Sequence, residues 1–197
     1  METERGVHME SLLATLGSLA GFCCIDSTLK AAEQLGRPAR ECGIVDVETS
    51  DGSRYYFGDP VNTLLFEGQM SVGMLVAGAI NQLGSEDYPD FAEVAAHVAG
   101  SLGKADFGLP RVPDQHKPHD LPINYVRNIW PATLPLLNHY APVLKQRPIV
   151  FGLAIHRVMQ MGKDVISPAM AGRLVMECAI PMAKLDPAGI DVENATP

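Results

Sequence analysis

Apolar residues recur at helical spacing along most of this chain, so the pattern predicts a mainly helical protein. The first such segment begins near Met9 and can extend to Gly36, where a glycine shortly before a proline is typical of a helix end. The alternative is that Asp26-Ser27 caps a second helix within this segment. Within this segment Gly17 and Gly21 lie four residues apart, on one face of the helix. Because glycine has no side chain, these two positions leave a notch in the helix surface. The notch predicts that another helix packs closely against the first.

Later apolar segments follow residues that cap helices, so four further long helices are predicted. They span 72–83, 90–102, 148–161 and 168–185. The first of these is apolar on every side, which predicts a central and buried helix. Between 122 and 147 short or kinked helical pieces are predicted, because proline lacks the N–H that a helix interior uses. The prolines concerned are Pro131, Pro135 and Pro142.

One segment has the alternation of a β-hairpin instead. Residues 43–58 read GIVDVETSDGSRYYFG, with β-branched residues before Asp51-Gly52 and aromatic residues after it. Asp-Gly suits the positive φ of a tight turn, so two antiparallel strands are predicted, with Val47 on the covered face and Glu48 facing solvent. The predicted fold class is α+β and predominantly helical: a multihelical domain with one small antiparallel β-hairpin, at about residues 43–58, packed on helices.

The segment 103–121 has the weakest periodicity in the chain and contains several prolines. It is predicted to be an extended, Pro-rich loop, and loops of this length inside a domain are uncommon and usually functional. The chain is interpreted as a single domain, 1–197. A possible subdivision separates an α+β portion, 1–102, from a helical portion, 122–187, with the Pro-rich loop 103–121 between them.

Composition narrows the function classes. The 197 residues carry a formal charge of −8 without a cluster of Lys and Arg, which argues against nucleic-acid binding. Four cysteines without disulfide or C-x-x-C spacing are interpreted as reduced. The N-terminus lacks the pattern of a signal peptide, and the longest apolar stretch, Val72–Ile80, is far shorter than the roughly 20 residues of a spanning helix. A cytoplasmic location without membrane association is expected.

The candidate chemistry lies in the Pro-rich loop, where HKPHD at 116–120 brings two imidazoles and a carboxylate close together in sequence. The candidate ligands for Zn²⁺ or a similar divalent ion are His116, His119 and Asp120, with His139 or His156 as a further ligand. A Pro-rich loop does not fix ligand geometry, so exposed histidines without a ligand are the favoured interpretation. Nucleotide, dinucleotide and serine-hydrolase motifs are absent from the sequence, and no organic cofactor is predicted.

We expect a non-enzymatic binding or protein-interaction module that forms a homo-oligomer, most simply a homodimer. The reason is the low charge of the helices at 149–161 and 170–182, since such helices need cover on most sides. The Pro-rich loop is expected to take part in this association. The alternative is a metal-dependent hydrolase that uses His116, His119 and Asp120. A third hypothesis is that the acidic surface covers a basic protein partner.

Overall fold

The computed structural model describes the backbone of residues 2–3 and 6–190, and the side chains of residues 6–190. Helices dominate this part of the chain. They are α1 Met9–Gln34, α2 Asp59–Asn62, α3 Val72–Gln82, α4 Phe91–Gly100, α5 Pro122–Tyr140, α6 Arg147–Gly162 and α7 Pro168–Met182. A π-helical turn, Thr63–Glu67, continues α2.

Two short pairs of strands accompany the helices. β1 Glu2–Thr3 pairs with β2 Gly6–Val7, and β3 Val45–Glu48 pairs with β4 Arg54–Phe57, both antiparallel. The β3–β4 hairpin occupies the segment predicted for it, whereas the β1–β2 pair was not predicted. The predicted fold class, predominantly helical α+β with a small antiparallel hairpin, is confirmed.

Helices α1 and α7 form the centre of the fold and approach each other closely, because α1 has no side chain at two contact points. A Cβ added at Gly17 would lie 2.6 Å from the carbonyl oxygen of Val175, and one at Gly21 would overlap the carbonyl oxygen of Ala179. The close neighbour predicted from the spacing of these glycines is therefore α7. Helices α5 and α6 also pack against α1, and α3 and α4 pack against α7.

Helix α1 is buried although it contains hydroxyl side chains, because these bond back to its own backbone. The hydroxyls of Thr15, Ser18 and Thr28 donate to the carbonyl oxygens of Ser11, Ala14 and Cys24, at 2.6–2.7 Å. A buried hydroxyl left without a partner would cost about 1–3 kcal/mol. The three bonds avoid that cost, so α1 can lie in the core with polar residues along its length.

Among the described residues, two helical segments are long and apolar enough to cross a membrane by length and composition alone. They are α1, Met9–Gln34, and the segment Asp59–Gln82, which comprises α2, the π-helical turn and α3. The expectation that apolar segments stay far below spanning length was therefore wrong, because it considered uninterrupted apolar runs rather than mean hydropathy over a whole helix. In α1 83% of the apolar window is buried within this fold, against 39% in the second segment. Core helices of soluble proteins pass the same test, so a cytoplasmic location stays a prediction.

The β3–β4 hairpin is attached to the end of α7. Tyr56 donates its N–H to the carbonyl oxygen of Lys184 at 2.8 Å, and Val47 lies opposite Tyr55 in the register. Val47 therefore shares a face with Tyr55, which is buried and packs edge-to-face on Phe107. Val47 itself is 38% exposed, so its predicted cover is wrong, whereas the predicted exposure of Glu48 is confirmed. The aromatic strand β4 makes the contacts with the rest of the fold, and β3 lies outside it.

Helix α3 is not the central helix that its apolar composition predicted. Val76 and Ile80 lie in the core, but Met74 is 52% exposed. Gly73, Met74 and Ala77 line an apolar pocket. The apolar residues on every side of α3 therefore have two different neighbours, the core on one side and a pocket on the other.

Helix α5 runs from Pro122 to Tyr140 without interruption and contains Pro131 and Pro135. The predicted short pieces are therefore wrong, whereas the alternative of a kink at a proline stays a prediction. Each internal proline removes one N–H from the helix. Trp130, beside the first of them, is buried and packs edge-to-face on Phe22 of α1, at 4.9 Å between ring centroids. Such packing offsets the lost hydrogen bonds, since tertiary contacts supply most helix stability in proteins.

Arg111 attaches the Pro-rich loop to α7 and α4. Its backbone N–H and its guanidinium donate to the carboxylate of Glu177, which is 2% exposed, at 2.9–3.3 Å. The guanidinium also pairs with Glu93, and Arg173 gives Glu177 a second cationic partner. The buried core draws residues from both sides of this loop. The subdivision of the chain at the loop stays a prediction.

Candidate functional site

An apolar pocket of about 660 Å³ is lined by residues of α3, α4, the end of β4 and Lys184, the second residue after α7. We call it the Lys184 pocket, after the charged residue in its lining. The large side chains around it are Phe57, Phe66, Met74, Tyr88 and Phe91. Its volume falls within the range of about 300–1,000 Å³ that is typical of pockets for small molecules.

Small residues on two helices leave the space that forms this pocket. Helix α4 contributes Ala92, Ala95 and Ala99, which share one face at positions i, i+3 and i+7. Helix α3 contributes Gly73 and Ala77, four residues apart. The pocket is therefore a consequence of which residues face each other across α3 and α4.

Lys184 brings an amine into this apolar surface. The residue is 6% exposed, and its Nζ lies 4.8 Å from the ring centroid of Phe57. Within residues 6–190 the side chain forms neither a hydrogen bond nor an ion pair. Its backbone is held at both ends, because the N–H donates to Pro181 at 3.0 Å and the carbonyl oxygen accepts from Tyr56. The ring of Phe57 is thus the main partner of the ammonium group in the described structure.

Burial lowers the pKa of Lys184 below its ordinary value of 10.5, because an apolar environment disfavours the ammonium form. A thiolate at Cys24 would oppose this shift, but burial also raises the pKa of Cys24 well above 9.0. Cys24 is therefore a neutral thiol at physiological pH. Lysine is almost never buried without a partner, so an amine in this setting is a candidate for ligand binding.

The histidines of the Pro-rich loop contact the start of α1. His116 Nδ1 lies 3.1 Å from Glu10 Oε1, and the ring of His119 stacks on that of His8 at 3.8 Å between centroids. The backbone N–H of His119 donates to Ser11 Oγ at 3.0 Å. The two loop histidines therefore hold the loop on α1. His119 is exposed and His116 is half-buried, and the interpretation of both as exposed histidines without a ligand stays a prediction.

His8 and Ser11 cap α1 while they contact the loop. The Nδ1 atom of His8 accepts from the backbone N–H of Ser11 at 3.2 Å and lies 2.9 Å from the Ser11 hydroxyl. Glu10 Oε2 lies 3.6 Å from His8 Nε2, in the first turn, where the helix dipole favours a carboxylate. Ser11 is buried and its hydroxyl also accepts from the loop, so its position suits a structural cap rather than a nucleophile.

Asp120 directly precedes Leu121, the N-cap residue of α5. Its Oδ1 accepts from the N–H of Leu121 at 2.8 Å and from Nδ2 of Asn124 at 2.6 Å, and these bonds lower the pKa of the Asp120 carboxyl, the one from Asn124 most. Among residues 6–190, no group of three or more His, Cys, Asp or Glu is arranged to hold a metal ion. The assignment of His116, His119 and Asp120 as metal ligands stays a prediction that the geometry does not strengthen.

The two histidines considered as further ligands lie on helices. His139 is near the end of α5, where its ring meets that of Tyr140 edge-to-face at 4.5 Å between centroids. His156 lies within α6. Neither completes a metal-binding group with the loop histidines in the described part of the chain.

No family model matches this sequence, and neither the curated proteins nor the solved structures contain a match to it. The Lys184 pocket is the structural feature that best supports a function.

Sequence reasoning missed Lys184, although the sequence contains a weak signal. The apolar segment of α7 ends in Met182-Ala183-Lys184, and a lysine after the last turn of a helix is ordinarily a solvated residue that favours the helix dipole. The sequence does not show that β4 and α4 cover this position. The unusually apolar composition of α3 is a second signal for the pocket. The same composition also fits a central, buried helix, which is the interpretation that the sequence favours.

Proposed function

We propose that the protein binds a small apolar molecule that carries a carboxylate, with its apolar part in the Lys184 pocket and its carboxylate at Lys184. This function is a specific form of the non-enzymatic binding role expected from the sequence. The observation that carries it is the 6% exposed amine of Lys184, which lines an apolar pocket and has no anionic partner within residues 6–190.

The energetics favour such a ligand over a neutral one. A buried charge without a partner costs free energy, and a carboxylate that enters with an apolar tail removes this cost by forming a charge-assisted hydrogen bond. Burial of the tail adds about 0.8 kcal/mol for each CH₂ group. The aromatic and small aliphatic residues of the lining offer little to a polar tail. A medium-chain carboxylate is therefore the simplest molecule that satisfies both parts of the pocket.

Calorimetric titration with decanoate and with decanol tests this proposal. We expect Lys184→Met to weaken decanoate binding about 10- to 100-fold, on the scale of one hydrogen bond to a charged group, and to leave decanol binding nearly unchanged. Lys163→Met, which removes an exposed lysine after α6, is the matched control and should bind decanoate as the unsubstituted protein does. Equal decanoate affinity of the Lys184→Met variant and the unsubstituted protein would contradict the proposal.

A second candidate function, self-association as a homodimer, is favoured by the exposed face of α6. Val150, Leu153 and Met161 are exposed there at helical spacing. The other helix expected to take part, α7, is covered within the chain by α1, α3 and α4 and offers no comparable face. Light scattering at micromolar concentration tests this candidate, and a strict monomer would remove it.

The metal-dependent hydrolase and the basic protein partner stay alternative predictions. The first depends on His116, His119 and Asp120, whose described contacts are with α1 and α5. The second depends on the net charge of −8. Elemental analysis of protein purified without a histidine tag distinguishes the first from the binding function.

A further inference from the structure

Lys184 differs from the other five lysines of the chain in its surroundings. Lys30 and Lys117 form ion pairs with Asp26 and Asp114. Lys145 and Lys163 are exposed to solvent, and the remaining one, Lys104, donates to a backbone carbonyl at the surface. Lys184 alone among the described lysines combines burial with an apolar pocket that a small molecule can enter.

We infer that the Lys184 amine forms an imine with apolar aldehydes that enter the pocket. The inference rests on the proposed pocket, but not on the carboxylate, because an aldehyde reacts with the neutral amine. A lysine that is desolvated in an apolar pocket is an activated nucleophile, since a larger share of its amine carries a free electron pair at neutral pH. The lowered pKa of Lys184 agrees with this environment.

The reaction needs no redox partner. The nitrogen electron pair attacks the aldehyde carbon, a C–N bond forms, and the carbonyl oxygen takes a proton to give a carbinolamine. The nitrogen then forms the C=N bond as the oxygen leaves with a second proton. Both protons of the neutral amine end in one molecule of water, so the products are the imine and water. The pocket is open to solvent at exposed residues such as Met74 and Ala92, where this water can leave.

The geometry also limits the class of aldehyde. The lining is apolar around the amine, with Phe57 against Nζ itself. An aldehyde with an alkyl or aromatic tail can place its carbonyl carbon at Nζ while the tail contacts these walls. A sugar aldehyde would lose hydration at its hydroxyl groups without gaining hydrogen bonds. We therefore expect reaction with decanal and little reaction with glyceraldehyde.

The test is reductive trapping on the full chain. The protein is incubated with decanal and sodium cyanoborohydride at pH 7, and each lysine is quantified by peptide mass spectrometry. We expect Lys184 to be alkylated about tenfold faster than Lys163 in the same molecule, because the apolar pocket favours the free amine of Lys184 and holds the decanal tail beside it. Decanol should slow the labelling of Lys184 by competition and leave that of Lys163 unchanged.

Two variants complete the test. Lys184→Arg keeps the positive charge but cannot form an imine, so selective labelling should be lost while circular dichroism reports an intact fold. Lys163→Met should retain selective labelling of Lys184. Labelling of Lys184 no faster than that of Lys163 in the unsubstituted protein would overturn the inference, and this comparison needs no variant. If the protein binds decanoate but Lys184 is not labelled selectively, the proposed function stands and the imine is rejected. If Lys184 is labelled selectively but decanoate does not bind, the imine stands and the proposed carboxylate ligand is rejected.

Discussion

One pH-dependent contribution to the stability of the protein comes from Lys184. In the unfolded chain a lysine titrates near 10.4, whereas burial lowers the pKa of Lys184 in the folded chain. Between these two values the unfolded state binds more protons than the folded state, so folding becomes more favourable as pH rises. Below the lowered pKa both states hold the proton, and the whole cost of the buried ammonium is present.

Lys184→Met should therefore stabilise the protein most at neutral and acidic pH. The difference in unfolding free energy between variant and unsubstituted protein should shrink by up to about 1.4 kcal/mol per pH unit as pH rises through the window between the two pKa values. Urea unfolding at a series of pH values from 6 to 10 measures this difference. Lys163→Met should show no such trend, and a difference for Lys184→Met that is constant with pH would contradict the assignment of Lys184 as a buried, unpaired amine.

At the scale of whole elements, the packing of helices is most sensitive to an added side chain at Gly21, where α1 meets the backbone of α7. A Cβ on Gly21 would overlap the Ala179 carbonyl, so Gly21→Ala must push two central helices apart. We expect a loss of about 2–4 kcal/mol in unfolding free energy, as for overpacked cores. Gly78→Ala is the matched control: Gly78 lies in α3, is exposed, and a Cβ added there would have no heavy atom of another element within 4 Å.

The control variant Gly78→Ala should be more stable than the unsubstituted protein. Alanine stabilises a helix interior by about 0.5–1 kcal/mol relative to glycine, so Gly78→Ala should raise the melting temperature slightly. Thermal unfolding of both variants measures the two effects. If Gly21→Ala melts at the temperature of Gly78→Ala, the close approach of α1 and α7 is incorrect.

The positions of helices and strands along the chain were easier to predict from the sequence than the neighbours that each of them contacts. Helix starts were predictable where a side chain caps the backbone, as Ser71, Asp90 and Ser167 do. The Gly17–Gly21 notch was predictable because four-residue spacing fixes a shared helix face. The exposure of Val47 was not, because alternation of apolar and polar residues does not show which strand of the hairpin meets the helices. Lys184 was missed for the same reason: its pocket exists only where α3, α4 and β4 come together.

At the scale of the whole molecule, the Pro-rich loop joins distant parts of the chain. His116 and His119 contact Glu10, Ser11 and His8, more than 100 residues earlier. His116→Ala/His119→Ala should therefore destabilise the protein by about 1–2 kcal/mol, because the loop loses a hydrogen bond and a ring contact. Chemical unfolding measures this loss.

A chelator separates this structural role from a metal site. EDTA should leave the melting temperature of the unsubstituted protein unchanged, since the histidine contacts involve other side chains and backbone. A melting temperature that falls by several degrees with EDTA, but not in the double variant, would instead establish a bound ion, because an ion that binds the folded state adds stability by mass action. Lys117→Ala, in an exposed ion pair of the same loop, is the control and should change stability by less than about 1 kcal/mol.

The contact between Gly21 and Ala179 also bears on how the protein is made. Ala179 follows Gly21 by 158 residues, so α1 leaves the ribosome long before the helix that covers it. At about 5–20 residues per second, roughly 8–30 s pass between the synthesis of these two residues. During that time α1, a long helix built for burial, lacks its main neighbour. Nascent chains that end before α7 should therefore be the forms most dependent on chaperones.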